Sequence, residues 1–356
     1  MKSTTVDWNG LNAIAKELSQ ATISPASITS IELSSIETAL MNLVDTKDWR
    51  GILQLEELFH HQITQETLSV HQLFRDLSQK AIQSARFLNT KSKLADLLKL
   101  EGHNLHRLGF HKEALETFLE AEQIYRAEQD LANAKDSLFM TTLCLRALRN
   151  FKGARGIVEQ LLGETEPDDP WRSHPLKMLA WLERDNKQFD IAEKLLRESL
   201  GLYSKISETD IFYADTLADL GEVLGLRGSI EEAKIVLLKS LDIAQKHKGQ
   251  YARQEARTQA KLAELTLSQG NYEEALALFQ KADDNIRGYG TYLDLLWKIE
   301  VIRAMIYFQT GQILEGFRKL RSAFNLHKGL KLSLGDFISK IFSRLRIGTG
   351  SPRKQS

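Results

Sequence analysis

The stretch GNYEEALALFQKA, Gly270–Ala282, repeats a pattern that first occurs far upstream as GFHKEALETFLEA, Gly109–Ala121. In both stretches a glycine stands five residues before an alanine, and a phenylalanine and a second alanine follow at the same offsets. A pattern that recurs at distant positions is typical of a repeat protein, in which each repeat is one supersecondary element. We therefore interpret the chain as an array of similar repeats.

The period of the array follows from a small residue that is followed four positions later by an apolar one. Upstream of each such pair, apolar residues recur every three or four positions, as Leu217, Leu220 and Leu224 do, and this spacing predicts a helix. Each repeat is therefore predicted to be two antiparallel helices joined by a short turn, where glycine permits a positive φ. The pairs are separated by 40, 38, 41, 42 and 41 residues and are Ala114/Phe118, Ala154/Val158, Ala192/Leu196, Ala233/Leu237, Ala275/Phe279 and Gly316/Leu320.

Short side chains are expected where two helices cross closely. Gly221 is therefore predicted to face Ala233, and Ala263 to face Ala275. One helix pair cannot bury its apolar face alone, so successive pairs must stack to form a continuous core. The predicted fold class is all-α, with stacked antiparallel helix pairs.

Two segments, TLADLGEVLGLRGSIEEAKIVLLKSL at 216–241 and AKLAELTLSQGNYEEALALFQKA at 260–282, resemble the tetratricopeptide repeat family. The resemblance covers residues 95–326 as six repeats. Their period of about 40–42 residues is similar to that of kinesin light chain-type adaptor repeats and exceeds the usual 34. The resemblance implies a right-handed α-solenoid. The sequence departs from the family pattern at three positions, which are Lys187 in place of the turn glycine, Glu183 at an apolar position and Gly316 in place of the alanine.

The remaining segments flank this array. The carboxyl-terminal stretch DFISKIFSRLRI, 336–347, places Phe337, Ile338, Ile341, Phe342 and Leu345 on one helical stripe and Lys340, Arg344 and Arg346 away from it. Three roles are open for this stretch: it covers the last repeat, it docks into a partner or folds back, or it lies on an anionic membrane surface. The predicted segments are a partly disordered or helical 1–29, atypical capping helices or a degenerate repeat at 30–94, an amphipathic capping helix at 327–347 and a disordered tail at 348–356.

Composition limits the classes of function. Lys plus Arg and Asp plus Glu both number 47, whereas nucleic-acid-binding proteins usually carry a basic excess, so nucleic acid is not an expected partner. The single cysteine, Cys144, indicates a reducing compartment. The first residues lack the apolar core of a signal peptide, and no apolar run reaches the roughly 20 residues needed to span a bilayer. We expect a cytoplasmic protein.

No motif for catalysis or cofactor binding is present. The sequence contains no P-loop, no GxSxG and no HExxH. His103, His106 and His111 lie close together, but no cysteine or acid completes a zinc ligand set. Cys144 lies among apolar residues, where a cysteine usually packs as a small hydrophobe. We therefore expect no enzyme activity, no metal and no cofactor.

The family resemblance implies that the first helix of each repeat lines a concave groove. Arg146, Lys177 and Arg184 are predicted to pair there with acidic side chains or the terminal carboxylate of an extended or helical peptide. The alternative is that these are ordinary solvated charges and that Trp181 packs between repeats. Aligning the repeats places these residues in the groove: Lys99, His103, Phe139, Leu143, Arg146, Lys177, Trp181, Arg184, Glu222, Arg257, Glu264, Val301, Met305 and Phe308.

The leading functional hypothesis is a non-catalytic adaptor or scaffold that binds a peptide or helix of a partner protein in this groove. The alternative is a peptide- or signal-responsive regulator whose superhelix changes conformation when the ligand binds. Regulators of that kind often carry an amino-terminal DNA-binding helix-turn-helix, and residues 1–94 contain no clear one with a basic recognition helix.

Overall fold

The structure is a computed structural model, and it describes residues 6–20, 30–60, 72–246, 252–287 and 293–329 of the 356-residue chain. Within these ranges the regular elements are sixteen α-helices and one 3₁₀ turn, with no strand. The predicted all-α fold of stacked antiparallel helix pairs is confirmed. The chain divides into two compact units, an amino-terminal unit up to Ile157 and a carboxyl-terminal unit from Val158 onward.

The amino-terminal unit begins with four helices that form their own core. Ile36, Ile52, Leu55, Phe59 and Phe74 are completely buried in it. The helices of this unit are α1 (Trp8–Gln20), α2 (Ser30–Asp45), α3 (Trp49–Leu58), α4 (Gln72–Phe87), α5 (Lys91–Arg107), α6 (His111–Ala127) and α7 (Leu131–Ala147), while α8 (Phe151–Gly163) extends across the boundary between the units.

The carboxyl-terminal unit consists of helices of similar length that follow one another as pairs. A 3₁₀ turn, Pro170–Arg172, precedes its first full helix, and Asp169 caps that turn by accepting a hydrogen bond of 2.9 Å from the Trp171 N–H. The helices are α9 (Ser173–Asp185), α10 (Phe189–Tyr203), α11 (Ile211–Arg227), α12 (Ile230–Lys246), α13 (Ala252–Ser268), α14 (Tyr272–Arg287), α15 (Leu293–Gln309) and α16 (Ile313–Gly329).

From α5 onward, a first helix and a second helix alternate, and we call them the A helix and the B helix of a pair. The A helices are α5, α7, α9, α11, α13 and α15, and each is followed by its B helix after a turn of two or three residues. The B helices carry the recurring small and apolar residues on their buried sides. Ala233 and Leu237 of α12, for example, are 0% and 1% exposed and pack in one core with Leu220 and Leu224 of α11.

The turns between paired helices share one backbone conformation. Gly228 ends α11 with a φ of +95°, and the N–H of the next residue, Ser229, donates to the Leu224 carbonyl at 2.9 Å. Lys187 stands where the family pattern has glycine, and it takes the same conformation with a φ of +63°. The N–H of the next residue, Gln188, donates to the Glu183 carbonyl at 2.9 Å. The non-glycine turn residue therefore does not alter the helix pair.

The glycines inside the pairs mark close approaches between helices. A Cβ at Gly221 would lie 2.5 Å from Leu237 Cγ and 3.3 Å from the Ala233 carbonyl oxygen, as expected for a tight crossing of α11 and α12. A Cβ at Gly316 would lie 2.5 Å from a ring carbon of Phe308, because this aromatic ring occupies the space that alanine fills in the other repeats.

Some predicted segments lie outside the described residues. These are residues 1–5 and 21–29 of the amino-terminal segment, the capping helix 327–347 beyond Gly329, and the tail 348–356. The domain boundaries predicted from the sequence therefore remain a proposal.

Candidate partner-binding face

Three neighbouring A helices of the carboxyl-terminal unit bring charged side chains together. The middle helix, α11, carries three acids spaced by four and three residues, which places them on one side of the helix. The flanking helices α9 and α13 carry basic residues and one tryptophan. We call these eight residues the charged network: Lys177, Trp181, Arg184, Asp215, Asp219, Glu222, Arg257 and Lys261.

Between α9 and α11, three contacts join residues that are 38 positions apart. Lys177 Nζ lies 2.7 Å from Asp215 Oδ2, and Arg184 Nη1 lies 3.0 Å from Glu222 Oε2. The Trp181 indole N–H donates to Asp219 Oδ2 at 2.9 Å. The same register therefore connects both helices along about two turns.

Between α11 and α13, two basic residues each contact two acids. Arg257 forms ion pairs with Asp215 and, at 2.6 Å, with Asp219 Oδ1. Lys261 lies 3.3 Å from Asp219 Oδ1 and also pairs with Glu222. Asp219 thus receives donors from three side chains on two different helices, while its own side chain is fully buried.

The network keeps Asp215 and Glu222 ionised in spite of burial. Burial alone would raise the pKa of the Asp215 carboxyl, but the positive charges of Arg257 and Lys177 hold that pKa well below its usual range. Burial opposes ionisation of Glu222 as well, and Lys261 and Arg184 hold its pKa well below its usual range. Asp215 and Glu222 are therefore each compensated by two cations, one from α9 and one from α13.

The basic residues are stabilised in their charged form by the same contacts. Burial would lower the pKa of Arg257, but the charges of Asp215 and Asp219 raise it. The pKa of Lys177 is raised in the same way, because Asp215 outweighs the cost of burial. Lys177 Nζ also lies 5.5 Å from the centroid of the Trp181 ring, in cation–π range.

The network is open to solvent only at its edge. The side chains of Arg184, Glu222 and Arg257 are 13%, 27% and 28% exposed, and Lys261 and Lys177 are almost covered. A ligand on this face would meet that edge and the half-buried ring of Trp181. It would not meet separate solvated charges.

The structure therefore places five of the predicted groove residues, Lys177, Trp181, Arg184, Glu222 and Arg257, in one assembly. The cations already pair with acids of this chain, so neither the prediction of charges waiting for a ligand carboxylate nor the alternative of simple solvation describes them. Glu264 lies on α13 as an exposed residue.

In the amino-terminal unit, two predicted groove residues contact neighbouring helices. Lys99 Nζ lies 3.0 Å from Asn133 Oδ1 and forms an ion pair with Asp136, so it links α5 to α7. His103 packs edge-on against the Phe118 ring, with centroids 5.2 Å apart. Burial, reinforced by the positive charge of Arg107, lowers the pKa of His103 to about 4.

The other predicted groove residues differ in exposure. Phe139 is buried, while Leu143 and Arg146 are half-buried on α7. Val301 of α15 is buried against Trp297 and Ala323 and does not face solvent.

Sequence reasoning missed three members of the network, Asp215, Asp219 and Lys261. A usable signal was present, because the acids Asp215 and Asp219 are four residues apart and Arg257 and Lys261 repeat that spacing 42 positions later. Opposite charges at matching positions of consecutive A helices predict inter-helix pairs. The individual helix alone suggests only a solvated polar stripe.

The residues that invited a metal or nucleophile hypothesis have other surroundings. Cys144 is fully buried beside Ala114 and Phe118, with Sγ 3.5 Å from His106 Nδ1, and burial raises the pKa of its thiol to about 12. Among the described residues, no group of three or more His, Cys, Asp or Glu side chains is placed to hold a metal ion. In the same part of the chain, no helix combines the length and apolar character needed to cross a membrane.

Comparison with known proteins identifies the type of repeat. Residues 210–283, from the start of α11 into α14, match the family model described as tetratricopeptide repeat. No curated protein sequence matches the chain.

Three solved structures are similar in fold. The apo form of the quorum sensor NprR from B. thuringiensis aligns over 89% of this chain and 86% of its own, with a TM-score of 0.59 and 17% identity. The Rap conjugation gene regulator of the plasmid pLS20, in complex with the Phr* peptide, covers 91% and 95%, with a TM-score of 0.58 and 16% identity. Aspartyl phosphate phosphatase F from Bacillus subtilis covers 92% and 82%, with a TM-score of 0.59 and 13% identity. At such identities the likeness shows the fold alone.

These findings define the class as all-α helical-repeat proteins. More particularly, residues 210–283 match the tetratricopeptide repeat, and the resemblance predicted from the sequence is confirmed there.

Proposed function

We propose that this protein is a non-catalytic adaptor that binds a peptide or helix of a partner protein on its A-helix face. The observation that carries the proposal is the charged network, which fixes three consecutive A helices in one register. A rigid face reduces the entropy lost when a flexible segment binds. The absence of catalytic motifs from the sequence supports the non-catalytic part.

The network also indicates how the partner is recognised. Its charges are compensated internally, so a partner gains little by supplying more of one sign. Hydrogen bonds to the exposed edges of Arg184 and Glu222, and apolar contact with the Trp181 ring, are the favourable interactions on this face. Trp and Arg are also the residue types that most often dominate binding energy.

The test compares two charge reversals at exposed acids. Glu264→Arg changes the A-helix face on α13, and Glu273→Arg makes the same change on the B helix α14. A partner captured from a native extract by the unchanged protein should bind the purified Glu264→Arg variant at least about tenfold more weakly, which corresponds to about 1.4 kcal/mol. The Glu273→Arg variant should bind normally. Equal binding by both variants would remove the A-helix face from the proposal.

A second candidate is a peptide-responsive regulator. The observation that favours it is the fold shared with a quorum sensor and with a gene regulator solved in complex with a peptide. The network connects α9, α11 and α13, so a ligand that displaces one helix would also move the others. Titration with short peptides, followed by small-angle scattering, tests this candidate. A peptide that binds and changes the radius of gyration supports the regulator, whereas binding with an unchanged radius supports the adaptor.

A further inference from the structure

The helix α16, which is the last one within the described residues, exposes an apolar side. Leu314 is 78% exposed and Phe317 is 59% exposed, and Ile313 beside them is half exposed. The position of Leu314 is charged in the five earlier B helices, where the sequence has Lys112, Lys152, Asp190, Glu231 and Glu273. An exposed apolar group at this end of the array therefore departs from the repeat pattern and marks a contact surface.

The incomplete burial of Leu320 shows that this side of α16 lacks a covering helix. The residues equivalent to Leu320 in the five preceding B helices are 0–1% exposed, while Leu320 itself is only half-buried. In the earlier pairs, the following A helix supplies part of the cover: Phe118 packs with Cys144 of α7, and Leu237 packs in one core with Leu262 of α13. No such helix follows α16 within the described residues.

Phe317 leads to the same conclusion. Its equivalents in the five preceding B helices are Leu115, Arg155, Glu193, Lys234 and Leu276. All of them except Lys234 are half-buried, and Leu115 packs against the core that contains Cys144 of the next A helix. Phe317 contacts the Phe308 ring edge-on at 5.2 Å but keeps more than half of its surface exposed. An A-type helix that runs back along α16 would cover both Phe317 and Leu320.

The chain itself contains a suitable occupant. After Gly329, 27 residues remain, and they include the stretch 336–347 with an apolar stripe of Phe337, Ile338, Ile341, Phe342 and Leu345. Earlier pairs need as few as three residues, 128–130, between a B helix and the next A helix. The remaining length therefore accommodates both the connection and a helix of about twelve residues, which would be about 18 Å long.

We infer that residues 336–347 form a seventh A-type helix that docks its apolar stripe on the side of α16 that carries Phe317 and Leu320. The segment is covalently attached at the end of α16, so its effective concentration at this surface exceeds that of a separate partner. Lys340 and Arg344 would face away from α16. The inference does not depend on what binds the A-helix face.

The experiment measures whether this side is covered in the full-length chain. Phe317→Cys supplies a reporter thiol, and the natural Cys144 contributes little background because it is fully buried. We expect a soluble thiol reagent to modify this reporter at least about tenfold more slowly than a fully exposed cysteine, as local protection requires. Adding Ile338→Asp and Phe342→Asp should abolish the protection.

Two controls make the result specific. Lys340→Asp with Arg344→Asp introduces the same two acids on the opposite side of the segment and should leave the protection intact. Lys234→Cys places a reporter at the equivalent position of α12, and its reactivity should not respond to changes in the segment.

Three outcomes would overturn the inference. One is a reporter that reacts equally fast with and without the stripe substitutions. Another is protection that rises with protein concentration, which would assign the surface to a second copy of the chain. The third is protection that appears only when phosphatidylserine vesicles are added, which would assign the stripe to a membrane surface.

Discussion

At the scale of single residues, Lys187 shows how one backbone conformation is kept without glycine. Its φ of +63° lies in the left-handed region, where the Cβ of an L-residue approaches the carbonyl oxygen. The Lys187 N–H donates to the Arg184 carbonyl at 2.9 Å, which repeats the bond from Gly228 to Gly225 at 3.1 Å. The turn is therefore retained, and the left-handed conformation of Lys187 lowers the stability of the folded protein.

This cost can be measured. Lys187→Gly should stabilise the protein by about 0.5–1 kcal/mol, because relief of the left-handed strain exceeds the entropy that glycine adds to the unfolded chain. Urea unfolding at neutral pH measures the difference. As a control, Gly228→Ala should destabilise by about 1 kcal/mol, since it introduces a Cβ at a φ of +95°. A Lys187→Gly variant that is less stable than the unchanged protein would contradict this account.

At the scale of helix pairs, the crossing of α11 and α12 leaves no space for one methyl group. Gly221→Ala would place a Cβ 2.5 Å from Leu237 Cγ. Overpacking of this kind costs roughly 1–3 kcal/mol, which exceeds the gain of roughly 1 kcal/mol in helix propensity. We therefore expect the free energy of unfolding to fall by about 1 kcal/mol.

The matched control is Gly201→Ala in α10, where a Cβ would meet nothing within 4 Å. There only the propensity term acts, and we expect a gain of about 0.5 kcal/mol. Chemical denaturation of both variants gives the comparison. Changes of the same sign would mean that the crossing is looser than the structure shows.

The charged network acts between helix pairs. Asp219 accepts from Trp181, Arg257 and Lys261 while fully buried, so Asp219→Ala leaves the Trp181 N–H without its acceptor and removes one of the two acids that compensate each of the almost covered Lys261 and the partly buried Arg257. Removing one member of a buried ion pair typically costs about 3–5 kcal/mol. We expect the melting transition of the carboxyl-terminal unit to shift to lower temperature by a corresponding amount.

Asp190→Ala provides the comparison, because this acid also pairs with an arginine but its side chain is 91% exposed. Surface pairs of this kind contribute about 0–1 kcal/mol. Calorimetry of the two variants should therefore show a large shift for Asp219→Ala and a small one for Asp190→Ala. Similar shifts would mean that the network does not hold the A helices together.

At the scale of the whole molecule, the repeated helix pairs could be predicted from the sequence, whereas the ion pairs of the charged network could not. The small and apolar residues such as Ala233 and Leu237 recur at a fixed period, so their positions in the sequence already indicate which side of each B helix is buried. Asp219 is different: on its side of α11 it lies between two other acids, Asp215 and Glu222, and its partners lie 38 and 42 residues away on other helices. Burial of a charge depends on those partners, and a single helix pattern does not contain them.

The two compact units carry different groups that respond to acid. In the amino-terminal unit, burial lowers the pKa of His103 from 6.5 to about 4, so folded His103 stays neutral while the unfolded chain binds a proton, and stability falls as pH decreases from 6.5 to about 4. Glu101 in the same unit acts in the opposite direction, because burial raises the pKa of its carboxyl. In the carboxyl-terminal unit, the lowered pKa values of Asp215 and Glu222 preserve stability until pH falls below about 4.

His103→Leu separates these contributions, since Leu143 occupies the equivalent position of α7 in the same unit. Relative to this variant, the unchanged protein should lose roughly 2–3 kcal/mol of stability between pH 7 and pH 4, because the unfolded chain binds a proton that folded His103 excludes.

Hydrogen exchange at pH 7, 5 and 3, corrected for intrinsic rates, assigns this loss of stability to one unit. The His103→Leu substitution should change the pH dependence of α5 and α6 amides and leave α11 and α13 unaffected. Amides of α11 and α13 should lose protection only below about pH 4, where the opened chain takes up protons that folded Asp215 and Glu222 exclude. If α11 and α13 opened at pH 5 in both proteins, the ion pairs would not be what keeps these helices in register.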